Sequence, residues 1–269
     1  MSEIKWTPLR KIEIFNNEKF WEISSSKLVQ NFFLNKIQMG DIIIFKKIIP
    51  KLEIDKIILS IKSYDYETTD NPKITEGVKN LKYQSNNILE NISESGKYAA
   101  VDNSYYFFPW NVDDLRLFER FQDIFDVVIK INGHDPSVVK NNTPINRIVE
   151  RFHLIHYPLN SGEISLHIDP TNIIKVNSGI YFSEYGIDYS EGGFFVLNSN
   201  KIEVNVDEKV GKGDLILFSP NLAHGVKRIF SNNDQGILNS GRFFFHMSLV
   251  ESHEFPDRQK SIGLEIKAL

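Results

Sequence analysis

The chain has 269 residues, a net charge of −4 and no cysteine, with 41% hydrophobic and 25% charged residues. The lack of cysteine excludes disulfides, thiolate metal sites and a cysteine nucleophile. The weakly acidic charge gives no general attraction to nucleic acid or to an anionic membrane. Because the sequence shows no signal-like apolar region and no apolar run that would span a bilayer, we expect a cytoplasmic protein.

The composition is that of an ordinary globular protein, and the sequence shows no internal repeat and no clean domain boundary. We therefore expect one domain over residues 1–269, in which residues 1–145 form an N-terminal helical support and lid region. The clearest helix in this region begins with an acidic pair at Asp113 and Asp114 and is followed by Gly133. Periodicity predicts strands at Lys11–Phe15 and Asp41–Ile49, and helices at Ser24–Ile37, Leu52–Ile61 and Asp113–Ile131.

Residues 63–104 are polar and show neither helical nor strand periodicity. Such a composition is common in linkers, but the aromatic cluster Tyr105–Trp110 follows directly and must pack on something. We therefore interpret residues 63–104 as a long loop or lid. With few apolar anchors, this segment is expected to be more mobile than the core when no substrate is bound.

After Asn146 the sequence changes to short apolar segments separated by Gly, Pro and Asn. This pattern is typical of a β-sandwich or jelly roll. We predict a mainly β fold, a double-stranded β-helix in residues 146–250 supported by the N-terminal helices, with residues 251–269 as a C-terminal extension. The eight predicted strands lie in residues 147–157, 164–169, 178–183, 192–198, 201–206, 214–220, 224–230 and 242–250.

Three residues of the predicted core could bind one metal ion. His167 and Asp169 are two positions apart at the end of a predicted strand, so both point to the same face. His224, just after another predicted strand, supplies a third ligand. Two histidines and one carboxylate leave three positions open on an octahedral metal, as in the facial triad of non-haem Fe(II) oxygenases. The opposite face of the first strand is aliphatic, with Ile164, Leu166 and Ile168.

The last predicted core strand places an arginine inside the fold. Arg242, His246 and Ser248 share one face of this strand with Phe244, whereas its other face is wholly apolar. The apolar face should pack against a second layer, so Arg242 should point into the barrel. A buried guanidinium needs a partner, which must be either a protein carboxylate or an anionic ligand. A carboxylate that accepts two hydrogen bonds suits its planar geometry best.

Together, the triad, the inward arginine and the strand pattern resemble the Fe(II)/2-oxoglutarate-dependent dioxygenases, and most closely their prolyl-hydroxylase branch. The resemblance covers roughly residues 151–250. It implies that His167, Asp169 and His224 hold Fe(II), and that 2-oxoglutarate and O2 are the cosubstrates. The residues that it implies for 2-oxoglutarate are Arg242, Tyr157 of a Tyr-Pro pair that precedes the first metal histidine, and Ser248 on the face of Arg242.

The resemblance implies hydroxylation of an unactivated C–H bond, coupled to conversion of 2-oxoglutarate to succinate and CO2. Related halogenases have Gly or Ala in place of Asp169, which favours hydroxylation here, although another oxidation such as desaturation stays open. Ser248 stands where the nucleic-acid demethylases have a second arginine, which argues against alkylated bases as substrates. Phe182 stands where some members have a second tyrosine, and the loop between His224 and Arg242 is longer than usual.

The substrate is expected to be a small metabolite or an amino-acid-like molecule, and neither nucleic acid nor a membrane is expected as a partner. Two other functions stay open: hydroxylation of a peptidyl residue, as in prolyl hydroxylases, and a cupin-like metal-binding module without catalysis. Arg242 and Asp169 favour the oxygenase, because a binding module needs neither. Lys227 and Arg228 follow His224 too closely to lie on the last core strand, so we expect them at the surface.

Overall fold

The structure is a computed structural model. Between residues 62 and 99 it describes only the backbone, and only at residues 62–63, 67–68, 83–93 and 96–99. No helix in the described part of the chain is long and apolar enough to cross a membrane. The described residues are 4–63, 67–68, 83–93, 96–111, 113–141, 144, 146–231, 241–252 and 255–264.

The described residues include four α-helices and fourteen strands. The helices are α1 (Asn17–Ser25), α2 (Lys27–Gln38), α3 (Lys51–Ser63) and α4 (Leu117–Asn132). The first seven strands are β1 (Lys11–Phe15), β2 (Asp41–Phe45), β3 (Glu67–Thr68), β4 (Tyr83–Ser93), β5 (Gly96–Phe107), β6 (Ile148–Pro158) and β7 (Glu163–Ile168). The others are β8 (Asn177–Tyr181), β9 (Glu191–Leu197), β10 (Glu203–Asn205), β11 (Leu215–Phe218), β12 (His224–Phe230), β13 (Gly241–Glu251) and β14 (Ile262–Gly263).

The strands join into one sheet that folds over on itself. Its main path runs β1-β2-β11-β8-β13-β6-β5-β7-β12-β9-β10. The sheet folds over at β5, because this strand pairs with β6 through residues 103–107 and with β7 through residues 100–101. The two halves therefore enclose an interior, and the predicted double-stranded β-helix is confirmed. All eight strands predicted after Asn146 are present, with ends that differ by a few residues.

The helices cover the outer face of the half that contains β13. The apolar side chains of β13, such as Phe243, Phe245 and Met247, belong to one core with residues of all four helices. Phe121 of α4 lies 4.6 Å from Phe245, measured between ring centroids. The outward apolar face predicted for this strand is thus confirmed, and it leaves Arg242 on the interior face.

The N-terminal predictions are confirmed in type but not always in extent. The predicted helix Ser24–Ile37 is two helices that meet at Ser26. Its backbone N–H donates to the carbonyl oxygen of Ile23 at the end of α1, and its side chain accepts a hydrogen bond from the amide of Val29 at the start of α2. At α4, the carboxylate of Asp113 accepts the amides of Leu117 and Phe118, both at 2.7 Å, so the helix begins after the acidic pair. Gly133 ends this helix in a left-handed conformation, as predicted.

The prediction of a loop or lid over residues 63–104 is wrong for its second half. Residues 83–93 and 96–104 lie in β4 and β5, a long antiparallel pair, and β5 also pairs with β6. Residues 64–66, 69–82 and 94–95 of the predicted lid lie outside the described residues. Sequence periodicity missed these strands because many of their residues are polar, whereas backbone pairing to the core strands does not depend on an apolar side chain.

Candidate metal centre and its cavity

The three predicted metal ligands come together at one end of the interior. Antiparallel pairing of β7 with β12 sets His224 opposite His167, and Asp169 follows β7 directly. The ligand atoms of the three residues all lie within 4.8 Å of one another. From the carboxylate of Asp169, the Nε2 atoms of His167 and His224 are 3.7 and 3.4 Å away. One ion can therefore reach all three side chains.

Both imidazoles are oriented by the backbone. The Nδ1 atom of His167 lies 2.7 Å from the carbonyl oxygen of Ser165, and that of His224 lies 2.6 Å from the carbonyl oxygen of Leu222. Because a carbonyl only accepts, each Nδ1 carries the hydrogen, and each Nε2 presents its lone pair to the centre. Burial and the neighbouring His224 lower the pKa of His167 to about 4, so it is neutral near pH 7, as a metal ligand must be.

The carboxylate of Asp169 is held from both sides. Asn177 donates its side-chain amide to Oδ2 and Ser261 donates its hydroxyl to Oδ1, each at 2.7 Å. Burial alone would raise the pKa of Asp169, but hydrogen bonding and the charges of His224 and His167 hold it well below the usual range. A charged carboxylate beside two imidazole nitrogens attracts a cation, and this donor set suits Fe(II).

One detail of the predicted strand is wrong. Strict alternation places Ile164 on the face opposite His167, but Ile164 lines the interior cavity beside it. The pairing shows the reason, since His167 faces His224 whereas Ile164 faces Val226, which leaves one extra residue on β7. This bulge reverses the alternation before the ligands. Leu166 and Ile168 do lie on the other side, in a separate apolar cluster.

The triad opens on a cavity of about 210 Å³ that runs along the interior face of β6 and β13. Tyr157 and Arg242, both predicted to bind the cosubstrate, line this cavity, and they lie opposite each other in the two strands. His246 lines it as well. Further lining residues are Arg151, His153, Ile155, Asn177, Tyr181, Phe194, Ile216, Phe218, Val226, Phe244 and Ser261.

Arg242 finds a carboxylate partner within the protein. Its Nε and Nη2 atoms donate to the two oxygens of Asp207, at 2.8 and 3.3 Å. Both residues are buried, with 1% of Arg242 and none of Asp207 exposed. Of the two partners considered from the sequence, the structure shows the protein carboxylate. The Nε edge of the guanidinium therefore binds Asp207. Its central carbon, Cζ, lies 5.2 Å from the ring centre of Tyr181 in the cavity wall.

Asp207 is fully satisfied and was missed by the sequence analysis. Besides Arg242, it accepts the hydroxyl of Tyr189 and the amide of Phe194. Gly193 makes room for it, because a Cβ atom there would lie 2.3 Å from an oxygen of Asp207, and φ at this glycine is +99°. The Gly-Gly pair at the start of β9 was a signal that a side chain approaches closely, but nothing in the sequence identified that side chain.

Tyr181 is a second residue that the sequence analysis missed. It is buried and lines the cavity, and its hydroxyl lies close to Arg242 and Asp207 but makes no hydrogen bond of normal geometry in the described chain. Leaving such a group unsatisfied costs about 1–3 kcal/mol, which indicates a bound polar ligand. Phe182, the position that was compared with the family's second tyrosine, instead stacks on Phe245 in the outer core. The interior tyrosine is thus one residue earlier.

Ser248 does not line this cavity. Its hydroxyl accepts from Nε of Arg151 at 3.3 Å and donates to the carbonyl oxygen of Arg151 at 3.1 Å. It borders a second cavity of about 260 Å³, which shares Arg151, Asp169 and His246 with the first. The role predicted for Ser248 in cosubstrate binding is therefore not supported by its position. Other residues of the second cavity are Pro170, Ile173, Ile174, Asn177, Leu249, Val250, Glu251, Arg258, Gln259, Lys260 and Ser261.

Comparison with solved structures supports the fold. The chain is similar to a Trichoplax adhaerens prolyl hydroxylase in complex with a hypoxia inducible factor oxygen degradation domain peptide fragment, with a TM-score of 0.51 and 14% identity over 87% of this chain and 94% of that chain. A Pseudomonas putida prolyl-4-hydroxylase gives a TM-score of 0.47 and 11% identity over 81% and 96% of the chains. Neurospora crassa T7H in complex with alpha-KG and thymine gives 0.47 and 14% over 94% and 93%.

Only the first of these TM-scores exceeds 0.5, and it confirms the fold predicted by the resemblance. No family model matches the sequence. No curated protein is significantly similar to it.

Proposed function

We propose that this chain is an Fe(II)- and 2-oxoglutarate-dependent oxygenase that hydroxylates an unactivated C–H bond of a small, amino-acid-like molecule. The observation that carries this proposal is the triad. Two imidazoles and one charged carboxylate converge within 4.8 Å at the wall of a cavity. A solvated strand end would not need both imidazoles fixed through Nδ1 and the carboxylate fixed through both oxygens.

His167, Asp169 and His224 would hold Fe(II) on one face and leave the cavity side open for ligands. Bound Fe(II), with 2-oxoglutarate and O2, supplies the oxidising power for C–H hydroxylation and yields succinate and CO2. The contribution of the protein is to keep His167 neutral and Asp169 charged, and to fix the direction of each ligand atom. Asn177 and Ser261 do the last of these for the carboxylate.

The cavity also offers a place for the distal carboxylate of 2-oxoglutarate. Among the described residues the buried Tyr181 hydroxyl has no hydrogen-bond partner, and the guanidinium carbon of Arg242 lies 5.2 Å from its ring centre, with both side chains in the cavity wall. Together they would bind one carboxylate through charge-assisted hydrogen bonds. Asp207 contributes by fixing the guanidinium, and Tyr157 adds an aromatic wall, 5.5 Å from the guanidinium. These residues are what a 2-oxo dicarboxylate requires.

Succinate formation tests the proposal. The purified protein is supplied with Fe(II), 2-oxoglutarate and O2, and succinate is measured in the presence of a panel of free amino acids and short peptides. Stimulation by an amino acid supports the proposed function, whereas stimulation by peptides alone favours the peptidyl hydroxylase. If neither wild-type protein nor any mixture yields more succinate than Asp169→Ala, the oxygenase assignment is wrong and a non-catalytic metal-binding module becomes the better explanation.

A further inference from the structure

Two histidines of the cavity wall have no role in the metal centre or at the Arg242 end. Antiparallel pairing sets His153 of β6 opposite His246 of β13, and both side chains line the cavity that contains the triad. Their ring centroids are 6.3 Å apart. His246 follows Arg242 by four residues, a distance of about 13 Å along the strand at a rise of about 3.3 Å per residue. This separation exceeds the length of 2-oxoglutarate, so a cosubstrate held at Arg242 leaves the histidine pair for another molecule.

His153 is oriented by a chain of hydrogen bonds. Its Nε2 atom lies 2.7 Å from the hydroxyl oxygen of Ser104, which donates its own hydrogen to the carboxylate of Asp102. The hydroxyl oxygen therefore accepts, so Nε2 of His153 carries the hydrogen and Nδ1 keeps its lone pair. Tyr106 stacks on the ring, with 4.3 Å between the centroids. A ring fixed at one edge and on one face offers Nδ1 to a ligand as a hydrogen-bond acceptor.

His246 has a buried ring nitrogen, Nε2, that makes no hydrogen bond within the described chain. The rings beside it belong to His153 and Phe244, whose centroids lie 6.3 and 6.2 Å from its own. Because nearly all buried polar atoms in proteins have a partner, one that lacks it in a cavity wall indicates a ligand atom. His246 also lines the second cavity, so its side chain lies where the two cavities meet.

The charge of the ligand group follows from the surroundings of the two rings. Burial, and then the positive charge of Arg151, lower the pKa of both histidines, to about 4 for His246. Conditions that disfavour an imidazolium here also disfavour a substrate ammonium. An anionic oxygen does not suit the site either, because it cannot donate to the lone pair on Nδ1 of His153. The group that fits is uncharged and donates a hydrogen bond.

The histidine pair shares its cavity with the metal centre. Asp169 borders both cavities, as His246 does. Between the pair and Arg242 the wall is apolar, because Ile155 and Phe244 face each other there. Polar recognition on this part of the wall is therefore concentrated at the two imidazoles.

We infer that His153 and His246 select the substrate of the proposed oxygenase by binding an uncharged hydroxyl or carboxamide group. Nδ1 of His153 accepts a hydrogen from this group, and Nε2 of His246 forms a second hydrogen bond with it. These bonds hold the neighbouring carbon atoms in the cavity that Asp169 borders. The inference rests on the proposed function for the word substrate, whereas the binding of an uncharged donor by the two histidines does not.

Pairs of free L-amino acids of similar shape test the inference. The probes are threonine with valine, asparagine with leucine, and tyrosine with phenylalanine, so that one member of each pair has a hydroxyl or carboxamide that the other lacks. They are titrated calorimetrically into anaerobic wild-type protein that holds Fe(II) and 2-oxoglutarate. We expect the polar member of at least one pair to bind about tenfold or more tightly, because its apolar partner leaves buried polar atoms unsatisfied. Equal binding within every pair, or no binding of any probe, overturns the inference.

Variants locate the site. His246→Leu should lower the affinity for the polar probe to that of its apolar partner and leave the affinity for the apolar probe unchanged. His246→Gln, which places an amide near the position of Nε2, should restore part of the preference. His153→Phe keeps a ring that can stack on Tyr106, but it should lose the preference too. His156 stacks on Phe243 and lines neither cavity, so His156→Phe is the control and should keep the preference.

The melting temperature and the affinity for 2-oxoglutarate show whether each variant is folded. If His246→Leu does not fold, His153→Phe carries the test. A folded His246→Leu or His153→Phe that keeps the full preference shows that the polar group is bound elsewhere, and the inference is then wrong.

The same titrations separate this inference from the proposed function. Binding of 2-oxoglutarate to the Fe(II) protein is followed by its own charge-transfer absorption, without any substrate. Absorption without a preference for the polar probes leaves the oxygenase standing and rejects the selecting role of the histidines. A polar preference without absorption rejects the oxygenase and leaves a binding site for an uncharged donor at His153 and His246.

Discussion

The metal centre and the Arg242 site share one cavity and each contains a buried charge, but they balance it differently. Arg242 has Asp207, which accepts from its Nε and Nη2. Asp169 accepts hydrogen bonds from Asn177 and Ser261 and lies beside two imidazoles, and no lysine or arginine of the described residues pairs with it. The arginine is thus stable without a ligand, whereas the carboxylate requires a cation.

This difference shows what a buried charge indicates. Unbalanced charge, as at Asp169, points to a ligand of opposite charge. Balanced charge, as at Arg242, points to orientation, because the partner fixes which N–H groups face the cavity. A ligand at the arginine is then indicated by other evidence, the unsatisfied hydroxyl of Tyr181.

The largest effect is expected from Asp169→Ala. Removing the carboxylate leaves two neutral imidazoles, so Fe(II) affinity should fall sharply and substrate-coupled turnover should disappear. Both are measured directly, by metal titration and by succinate formation. Asp123→Ala, at an exposed helical position, is the matched control and should change neither. Wild-type hydroxylation by Asp169→Ala would remove this residue from the ligand set.

Asp207→Asn should lower the free energy of unfolding by about 3–5 kcal/mol, because it leaves the buried Arg242 without its counter-charge. Chemical denaturation measures this loss. The double variant Arg242→Met, Asp207→Asn removes both charges, keeps an amide oxygen that can accept from Tyr189 and Phe194, and should be more stable than Asp207→Asn alone. If Asp207→Asn is as stable as wild type, Asp207 does not neutralise the buried charge of Arg242.

Arg242→Leu should weaken 2-oxoglutarate binding by roughly 30-fold or more, from a cost of about 2–5 kcal/mol for truncating a desolvated charge pair. Fe(II) binding should change little. Lys227→Leu and Arg228→Leu are matched controls, since both side chains are exposed and pair with Glu203 and Glu163. Unchanged 2-oxoglutarate affinity in folded Arg242→Leu would place the anchor elsewhere.

Since Arg242→Leu also leaves Asp207 buried without its cation, Tyr181→Phe is the cleaner companion variant. It removes one hydroxyl that has no partner within the described chain. A hydrogen bond to a charged group contributes about 1.5–3 kcal/mol, so 2-oxoglutarate affinity should fall by about tenfold or more while stability is retained. Loss of stability without loss of affinity would contradict the role of Tyr181.

Glu150 is a third buried ionisable group, and its pKa is raised by burial. This carboxyl group has no cation within ion-pair distance in the described chain, and burial raises its pKa to about 7. Because the folded-state pKa lies above the unfolded value, its contribution to stability is fully present below about pH 4.5 and is lost as the pH rises through 7. The smallest effect follows: relative to Glu150→Gln, wild type should lose on the order of 2 kcal/mol between about pH 5 and pH 7, measured by denaturation at each pH.

A pH-independent difference between wild type and Glu150→Gln would show that Glu150 is ionised throughout. Glu119→Gln, at an exposed position of α4, is the control and should show no such trend. The comparison of variants is needed because other titrating groups contribute their own slopes.

The sequence predicted the core fold and the metal triad because both depend on local patterns. Alternating strands, turn residues and the spacing of His167, Asp169 and His224 are all visible along the chain. Apolar alternation on β13 likewise predicted correctly that Arg242 points inward. Each pattern lies within one strand or turn, and the triad combines two of them, His167–Asp169 and His224.

What the sequence did not predict depends on contacts between distant segments. Asp207 and Arg242 are separated by 35 positions, and nothing between them marks the pair. The β4–β5 pair joins the core through backbone pairing of β5 with β6, which does not require a periodic pattern of apolar residues. The bulge before His167 and the one-residue offset of Tyr181 both arise from pairing register, which a single sequence does not show.

The most direct test of the account is a spectrum. Fe(II) and 2-oxoglutarate are added anaerobically to wild-type protein and to Asp169→Ala, and the visible absorption is recorded. If Fe(II) at the triad is chelated by the cosubstrate, wild type shows a weak metal-to-ligand charge-transfer band that needs both additions, and Asp169→Ala shows none. Absence of the band in wild type, or its persistence in Asp169→Ala, would contradict the assignment of this triad as the iron site of a 2-oxoglutarate-dependent oxygenase.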